Sequence, residues 1–179
     1  MDKPVQNPSE ALRYDAIVTF PAGALHVQTT ETAVLSCAFL PADFPGASRP
    51  GRTMIVDDAP PVLRQACEQL MAYFSGQRQT FDVPFLITTG TEFQRNVWHQ
   101  LQQIPFGATW SYEELASRVN REGQLPRQLA RAVGAACKAN PLPVFIPCHR
   151  VIGKNGRLVG FGGGVNVKAY LLNHEMLGI

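Results

Sequence analysis

The chain has 179 residues, of which 45% are hydrophobic and 17% charged, and its formal net charge is +2. That is enough apolar material for one domain or two small ones, and it excludes a disordered, charge-rich chain. No apolar run is as long as a membrane span, and the polar start (Asp2, Pro4, Pro8, Glu10) lacks the basic-then-apolar order of a secretory leader, so a cytoplasmic protein is expected.

The cysteines Cys37, Cys67, Cys137 and Cys148 form no C-x-x-C and no zinc or disulfide spacing, so free thiols and no metal are expected. Charge is divided unevenly. Residues 1–90 carry six basic and nine acidic side chains, whereas 91–179 carry ten basic and five acidic. This suggests an anionic partner for the second half only; ordinary surface asymmetry explains it equally well.

In chain order, residues 1–13 read as a lead-in. Three strand-like runs follow, over 16–20, 24–30 and 33–40, the first two joined by a Pro21-Ala22-Gly23 turn. His26 reads as a strand-surface residue. Residues 41–51 are a Pro/Gly-rich loop. Pro60-Pro61 opens a helix whose stripe is Leu63, Ala66, Cys67, Leu70, Met71 and Phe74, and Gly76 stops it. Cys67 lies on that stripe and reads as a small buried hydrophobe. An extended piece over 81–87 leads to a boundary at residues 88–90.

A helix over about 92–103 follows, capped by Thr91 or a neighbour. Ser111 and Glu114 form a capping box for a helix over 112–119. After a polar turn at 120–125, Pro126 starts a small-residue-rich helix over 127–138, with Arg127, Arg131 and Lys138 outward. The pair has the outline of a helix-turn-helix, a pattern of low specificity by itself. The last helix, about 167–176, carries Leu171 and Leu172 inward and ends on Glu175. An acid there opposes the helix dipole, so Glu175 has either no constraint or a tertiary partner.

The chemistry centres on residues 146–164. An apolar run over 142–146, expected as a strand ending in a Pro turn, delivers Cys148 beside His149, and glycines follow. A thiol of ordinary pKa needs a base to act as a nucleophile. The H-x-E and P-C-x-x-C of nucleobase deaminases, the phosphate loop and the dinucleotide motif are all absent. A Cys-His hydrolase stays open on these residues alone, as does a structural thiol.

The segment Ile146-Pro147-Cys148-His149-Arg150-Val151-Ile152 resembles the active-site signature of the O6-alkylguanine-DNA alkyltransferases, or methylated-DNA–protein-cysteine methyltransferases. The resemblance extends through 90–98, Ser111-Tyr112, 130–136, Asn140-Pro141, the 160–164 loop and 168–175. Over 14–88 only the strand-then-helix outline and residues 73–76 are similar. It implies an α/β (α+β) protein: a ribonuclease-H-like sheet-plus-helix domain over 1–89, and a helical, winged-helix-like domain over 90–179.

The function implied is irreversible transfer of an alkyl group from O6-alkylguanine in double-stranded DNA to Cys148, with O4-alkylthymine a second candidate substrate. The resemblance also implies roles. Cys148 accepts the alkyl group. His149 takes the thiol proton through a water, and Glu175 orients His149. Tyr112 hydrogen-bonds the departing guanine at N3, and Asn140 is the hinge of the site. Arg131 fills the space left by the flipped nucleotide. Ser111, Gly134 and Lys138 lie along the DNA, and backbone at Cys148, Val151 and Gly162 reads the guanine edge.

No cofactor is implied, and a monomer is expected. The sequence departs from many relatives in a longer 120–125 loop and in Phe161, where a tyrosine is common. A zinc site present in some relatives lacks its N-terminal ligands. A damaged-base binding module without transfer is the alternative.

Overall fold

The computed structural model describes residues 12–45, 49–55, 57–119 and 126–178. The expected 120–125 loop lies outside them, as does nearly all of the expected lead-in.

The first half is a four-stranded antiparallel sheet covered by one helix. Strands β1 (Tyr14–Phe20), β2 (Gly23–Thr29), β3 (Val34–Phe39) and β4 (Thr53–Ile55) lie in the order β3-β2-β1-β4. The β1–β2 hairpin closes on Phe20 opposite Gly23. Alternation buries Ala16, Val18 and Phe20 on one face of β1, and α1 (Pro61–Phe74) packs Leu63, Ala66, Cys67 and Leu70 against the sheet. Cys67 is buried, as its place on the stripe predicts.

Strand β4 was not foreseen, because three residues are too short to show a period. The 81–87 piece stays short of a full strand, in keeping with the extended piece expected. It meets β3 at one parallel bridge, Val34 to Phe85, and Pro84, which has no N–H to donate, only accepts from Val34 N–H.

The second half is helical. Helix α2 (Glu92–Leu101) starts at a capping box in which Thr91 accepts from Gln94 N–H and the Gln94 side chain accepts from Thr91 N–H. Gly90 precedes it at φ +88, where a Cβ would come within 2.5 Å of the Trp98 ring. Trp98 Nε1 donates to Ala136 O and so ties α2 to α4 (Pro126–Lys138). The short strand β5 (Trp110–Ser111) runs into α3 (Tyr112–Val119), which opens on the Ser111–Glu114 capping box and packs on α4.

Strand β5 pairs in parallel with β6 (Val151–Ile152). That pairing sets the start of α3 beside the turn that carries Cys148. Helix α5 (Val165–Leu177) closes the chain, and Gly178 caps it at φ 67. Among the described residues no helix is long and apolar enough to cross a membrane.

The two halves share one core. Cys37 N–H, on the open edge of β3, donates to Pro141 O at 2.8 Å. Phe20 stacks on Phe74 at 4.3 Å and touches Tyr170 of α5 at 5.7 Å. The edge of the sheet is therefore paired with the loop that precedes Cys148.

Candidate active site

Residues 142–150 form a buried loop rather than the expected strand. Pro143 and Pro147 lack the N–H groups that a ladder requires. One bridge, Pro143 to Ile146, remains, and Ile146 N–H folds back onto Leu142 O. Asn140 takes over the satisfaction of this backbone: Nδ2 donates to Ile146 O at 2.8 Å, and Oδ1 accepts from Leu142 N–H at 3.0 Å. Val144 sits at φ 75, a conformation that strains a β-branched residue by about 1–3 kcal/mol.

The loop ends in a 3-10 turn, Cys148–Arg150. Asn140 Nδ2 also donates to Cys148 Sγ at 3.2 Å. Burial pushes the Cys148 thiol up, while the bond from Asn140 and the charge of Lys168 pull it down less strongly. The resting group is a thiol.

His149 is fully buried, and its Nε2 lies 2.7 Å from Glu175 Oε1. Arg150 grips the same carboxylate with two bonds, Nε to Oε2 at 2.8 Å and Nη2 to Oε1 at 2.9 Å, and its Nη1 donates to Ile104 O. Tyr73 Oη and Gly107 N–H complete the set at 2.7 and 3.1 Å. Burial alone would raise Glu175, but the bonds from His149 and Arg150 hold its carboxyl well below the usual range.

Burial pushes the His149 imidazole down, against the pull of Glu175, so it is neutral. An ionised carboxylate only accepts, so Nε2 carries the proton. Nδ1 is buried without a hydrogen-bond partner among the described residues and is the basic nitrogen.

Two hollows meet at this point. One, of about 190 Å³, is lined by Cys148, Asn140, Cys137, Phe161 and Gly162, and by Phe39 from β3. The other, of about 450 Å³, is lined by Tyr112, Arg131, Gly134, Lys138, Gly160 and Phe161. Burial raises the Tyr112 phenol to about 12, with Cys137 and Cys148 adding to it, so it is a donor at neutral pH. Arg131 and Lys138 are exposed along α4. Among the described residues no group of His, Cys, Asp or Glu side chains could hold a metal.

Residues 92–177 match the family described as 6-O-methylguanine DNA methyltransferase, DNA binding domain. The chain is 47% identical over 118 residues to the constitutive methylated-DNA–protein-cysteine methyltransferase of Bacillus subtilis, covering 65% of this chain and 68% of that one. It is 46% identical over 126 residues to the methyltransferase of Mycobacterium bovis, covering 70% and 72%. The crystal structure of Mycobacterium tuberculosis O6-methylguanine methyltransferase superposes with a TM-score of 0.74 at 34% identity over 93% of this chain and 94% of that one. A structure of the Mycobacterium tuberculosis OGT in complex with DNA gives 0.73 at 36% identity, covering 90% and 91%.

The chain belongs to the methylated-DNA–protein-cysteine methyltransferase family. Within this methyltransferase, two hydrogen-bonded pairs, Asn140–Cys148 and His149–Glu175, stand side by side through the adjacent residues Cys148 and His149, and Tyr112, Gly134, Arg131 and Lys138 line the adjoining cleft. Gly134 faces the Tyr112 ring, where a Cβ would make an ordinary 3.7 Å contact.

Ser111 is occupied by its cap, its Oγ accepting from Glu114 N–H. Val151 is partly occupied too. Its N–H bonds Cys148 O, and its carbonyl accepts from Lys168 Nζ at 2.6 Å, leaving one lone pair. Gly162 has open space where a side chain would stand.

Three residues of the site were missed as actors. Arg150 and Lys168 are buried cations, and Tyr73 arrives from the other half. Lys168 lies 5.7 Å from the Tyr112 ring centre and 5.9 Å from that of Phe161. A signal existed: 168, 171, 172 and 175 share one helix face, and two of those positions are charged.

Proposed function

We propose that this protein repairs DNA directly, by irreversible transfer of an alkyl group from O6 of guanine to Cys148. DNA is its partner. The neutral, Glu175-anchored His149 beside a buried Cys148 is the observation that carries the reading.

The chemistry balances on this chain's residues. As substrate enters, His149 Nδ1 takes the Cys148 proton, relayed by a water. Sγ attacks the alkyl carbon, the carbon–O6 bond breaks, and the electron pair stays with the guanine. Tyr112 supplies a hydrogen bond or proton at N3. Glu175 stabilises the imidazolium that forms, and Arg150 and Tyr73 hold Glu175 in place. The product thioether has no hydrolytic exit, so each chain reacts once.

The methyl group sits inside a stacked duplex, so the nucleotide leaves the helix, at a cost of a few kcal/mol. Arg131, exposed on α4 beside the cleft, fills the gap among the phosphates. Lys138, Gly134 and Ser111 border the strand. Backbone at Cys148, Val151 and Gly162 reads the base edge.

Residues 1–89 form the supporting domain and 90–179 the DNA-binding, alkyl-accepting one. The protein acts as a monomer in the cytoplasm, and the free state of Cys37, Cys67, Cys137 and Cys148 fits a reducing compartment. O4-alkylthymine fits the same chemistry as a second substrate.

The test follows the lesion. Duplex DNA carrying O6-methylguanine is mixed with wild-type protein and with Cys148→Ala. Loss of the methyl group with the wild type alone is expected. Binding without loss in the wild type indicates a damaged-base binding module, and repeated turnover indicates a hydrolase; either contradicts the reading.

A further inference from the structure

Strand β3 belongs to the supporting half, yet Cys37, Ala38 and Phe39 line the same 190 Å³ hollow as Cys148. The strand is held there by its backbone, through the bond from Cys37 N–H to Pro141 O at 2.8 Å. Pro141 lies between Asn140, which clasps Sγ, and Pro143, which lines the hollow. The wall and the thiol are therefore parts of one rigid piece.

The Phe39 ring is braced from two sides. Phe20 meets it edge-on at 6.3 Å, and Phe161 of the glycine loop lies 5.2 Å away. The glycine loop passes directly over it: a Cβ at Gly163 would come within 2.7 Å of the Phe39 ring. The neighbouring Gly162 has open space at the same place. The two glycines thus do different things. Gly162 leaves room toward the ligand, and Gly163 lets the loop close onto an aromatic ring.

We propose that Phe39 is a specificity-determining residue, the wall of the acceptor chamber that limits which alkyl groups reach Cys148. The proposal rests on the reading of Cys148 as the acceptor. The base occupies the cleft between Tyr112 and Phe161, and its O6 substituent points to the sulfur and onward against Phe39 and Cys137. A chamber of about 190 Å³ closed by a ring favours flat or short substituents, methyl to benzyl, and rejects longer or branched ones. Differences of a methylene in such a chamber change selectivity by roughly 10–200-fold.

The experiment measures transfer rates to wild type, Phe39→Leu and Phe39→Ala from one duplex carrying O6-methylguanine or a bulky branched O6-alkylguanine. The adduct on Cys148 is read by mass. The expected result is a rise of about tenfold or more in the bulky-to-methyl rate ratio for Phe39→Ala, with Phe39→Leu between it and wild type. An unchanged ratio overturns the proposal, whether both rates fall together, as for a ring that only braces the loop, or neither moves. If Phe39→Ala fails to fold, the ratio in Phe39→Leu decides. Absence of any adduct in the wild type is a separate result and rejects the acceptor reading itself.

Discussion

Tyr73 and Glu175 stand 102 positions apart in the chain and meet at 2.7 Å, fully buried, with the phenol donating to the carboxylate oxygen that also holds His149. The sheet-and-helix half thereby reaches, through the Tyr73 hydroxyl, the carboxylate that holds His149, the proposed proton acceptor. Burial, and Glu175 beside it, hold that phenol protonated.

Tyr73→Phe removes the hydroxyl and keeps the ring. A loss of about 1–2 kcal/mol in folding stability is expected by chemical denaturation. Glu175 Oε1 then interacts more strongly with His149 and raises its pKa. The acid limb of the transfer rate should move to higher pH. A stability loss with an unmoved pH profile contradicts the link to His149.

Glu175→Gln leaves Arg150 buried without its counter-charge. Removing one member of such a pair costs about 3–5 kcal/mol. The pH dependence follows from the signs of the shifts. The folded state lowers both His149 and Glu175. The unfolded chain therefore takes up protons first, and stability is present above the unfolded values and lost on acidification. The loss begins below about pH 6.5 through His149 and continues below about pH 4.3 through Glu175. Denaturation midpoints measured across this range should fall with pH, and the lower part of the fall should be absent in Glu175→Gln. A midpoint that rises on acidification contradicts the assignment.

Asn140→Ala removes two bonds to loop backbone and one to Sγ, with an expected cost of about 2–4 kcal/mol. Asn140→Asp keeps the acceptor for Leu142 N–H and places a carboxylate beside the thiol. That charge opposes the thiolate, so transfer should slow more than stability falls. Equal behaviour of the two variants would rule out an electrostatic part for Asn140.

Arg131→Ala should weaken reaction with duplex DNA much more than reaction with free O6-benzylguanine, because only the duplex leaves a gap to fill. Equal losses on the two substrates contradict the gap-filling role proposed for Arg131.

Much of the site was legible because its constraints are local. The Ser111–Glu114 capping box follows from a three-residue spacing, the cap at Thr91 from its residue type, and the helices themselves from the apolar stripes. Glu175 declared itself by standing at the wrong end of a helix dipole. The rest depends on contacts distant in sequence. Tyr73 stands outside the apolar stripe read for α1, within the similar residues 73–76, and nothing nearby marks its hydroxyl as bonded. The burial of Arg150 and Lys168 is not written in their neighbours along the chain, because burial of a cation depends on partners elsewhere. The strand expected before Cys148 failed for a local reason: two prolines forbid the ladder, and a side chain, Asn140, substitutes for it. Phe39 reads as the end of a strand, and its place at the chamber follows only from the docking of β3 on Pro141.

The most direct measurement is the intact mass of the protein after incubation with excess O6-benzylguanine, followed by peptide mapping. One benzyl group per chain, located on Cys148, with no further gain over time, is expected. An unmodified protein, an adduct at another cysteine, or continued turnover of the free base contradicts alkyl transfer to Cys148.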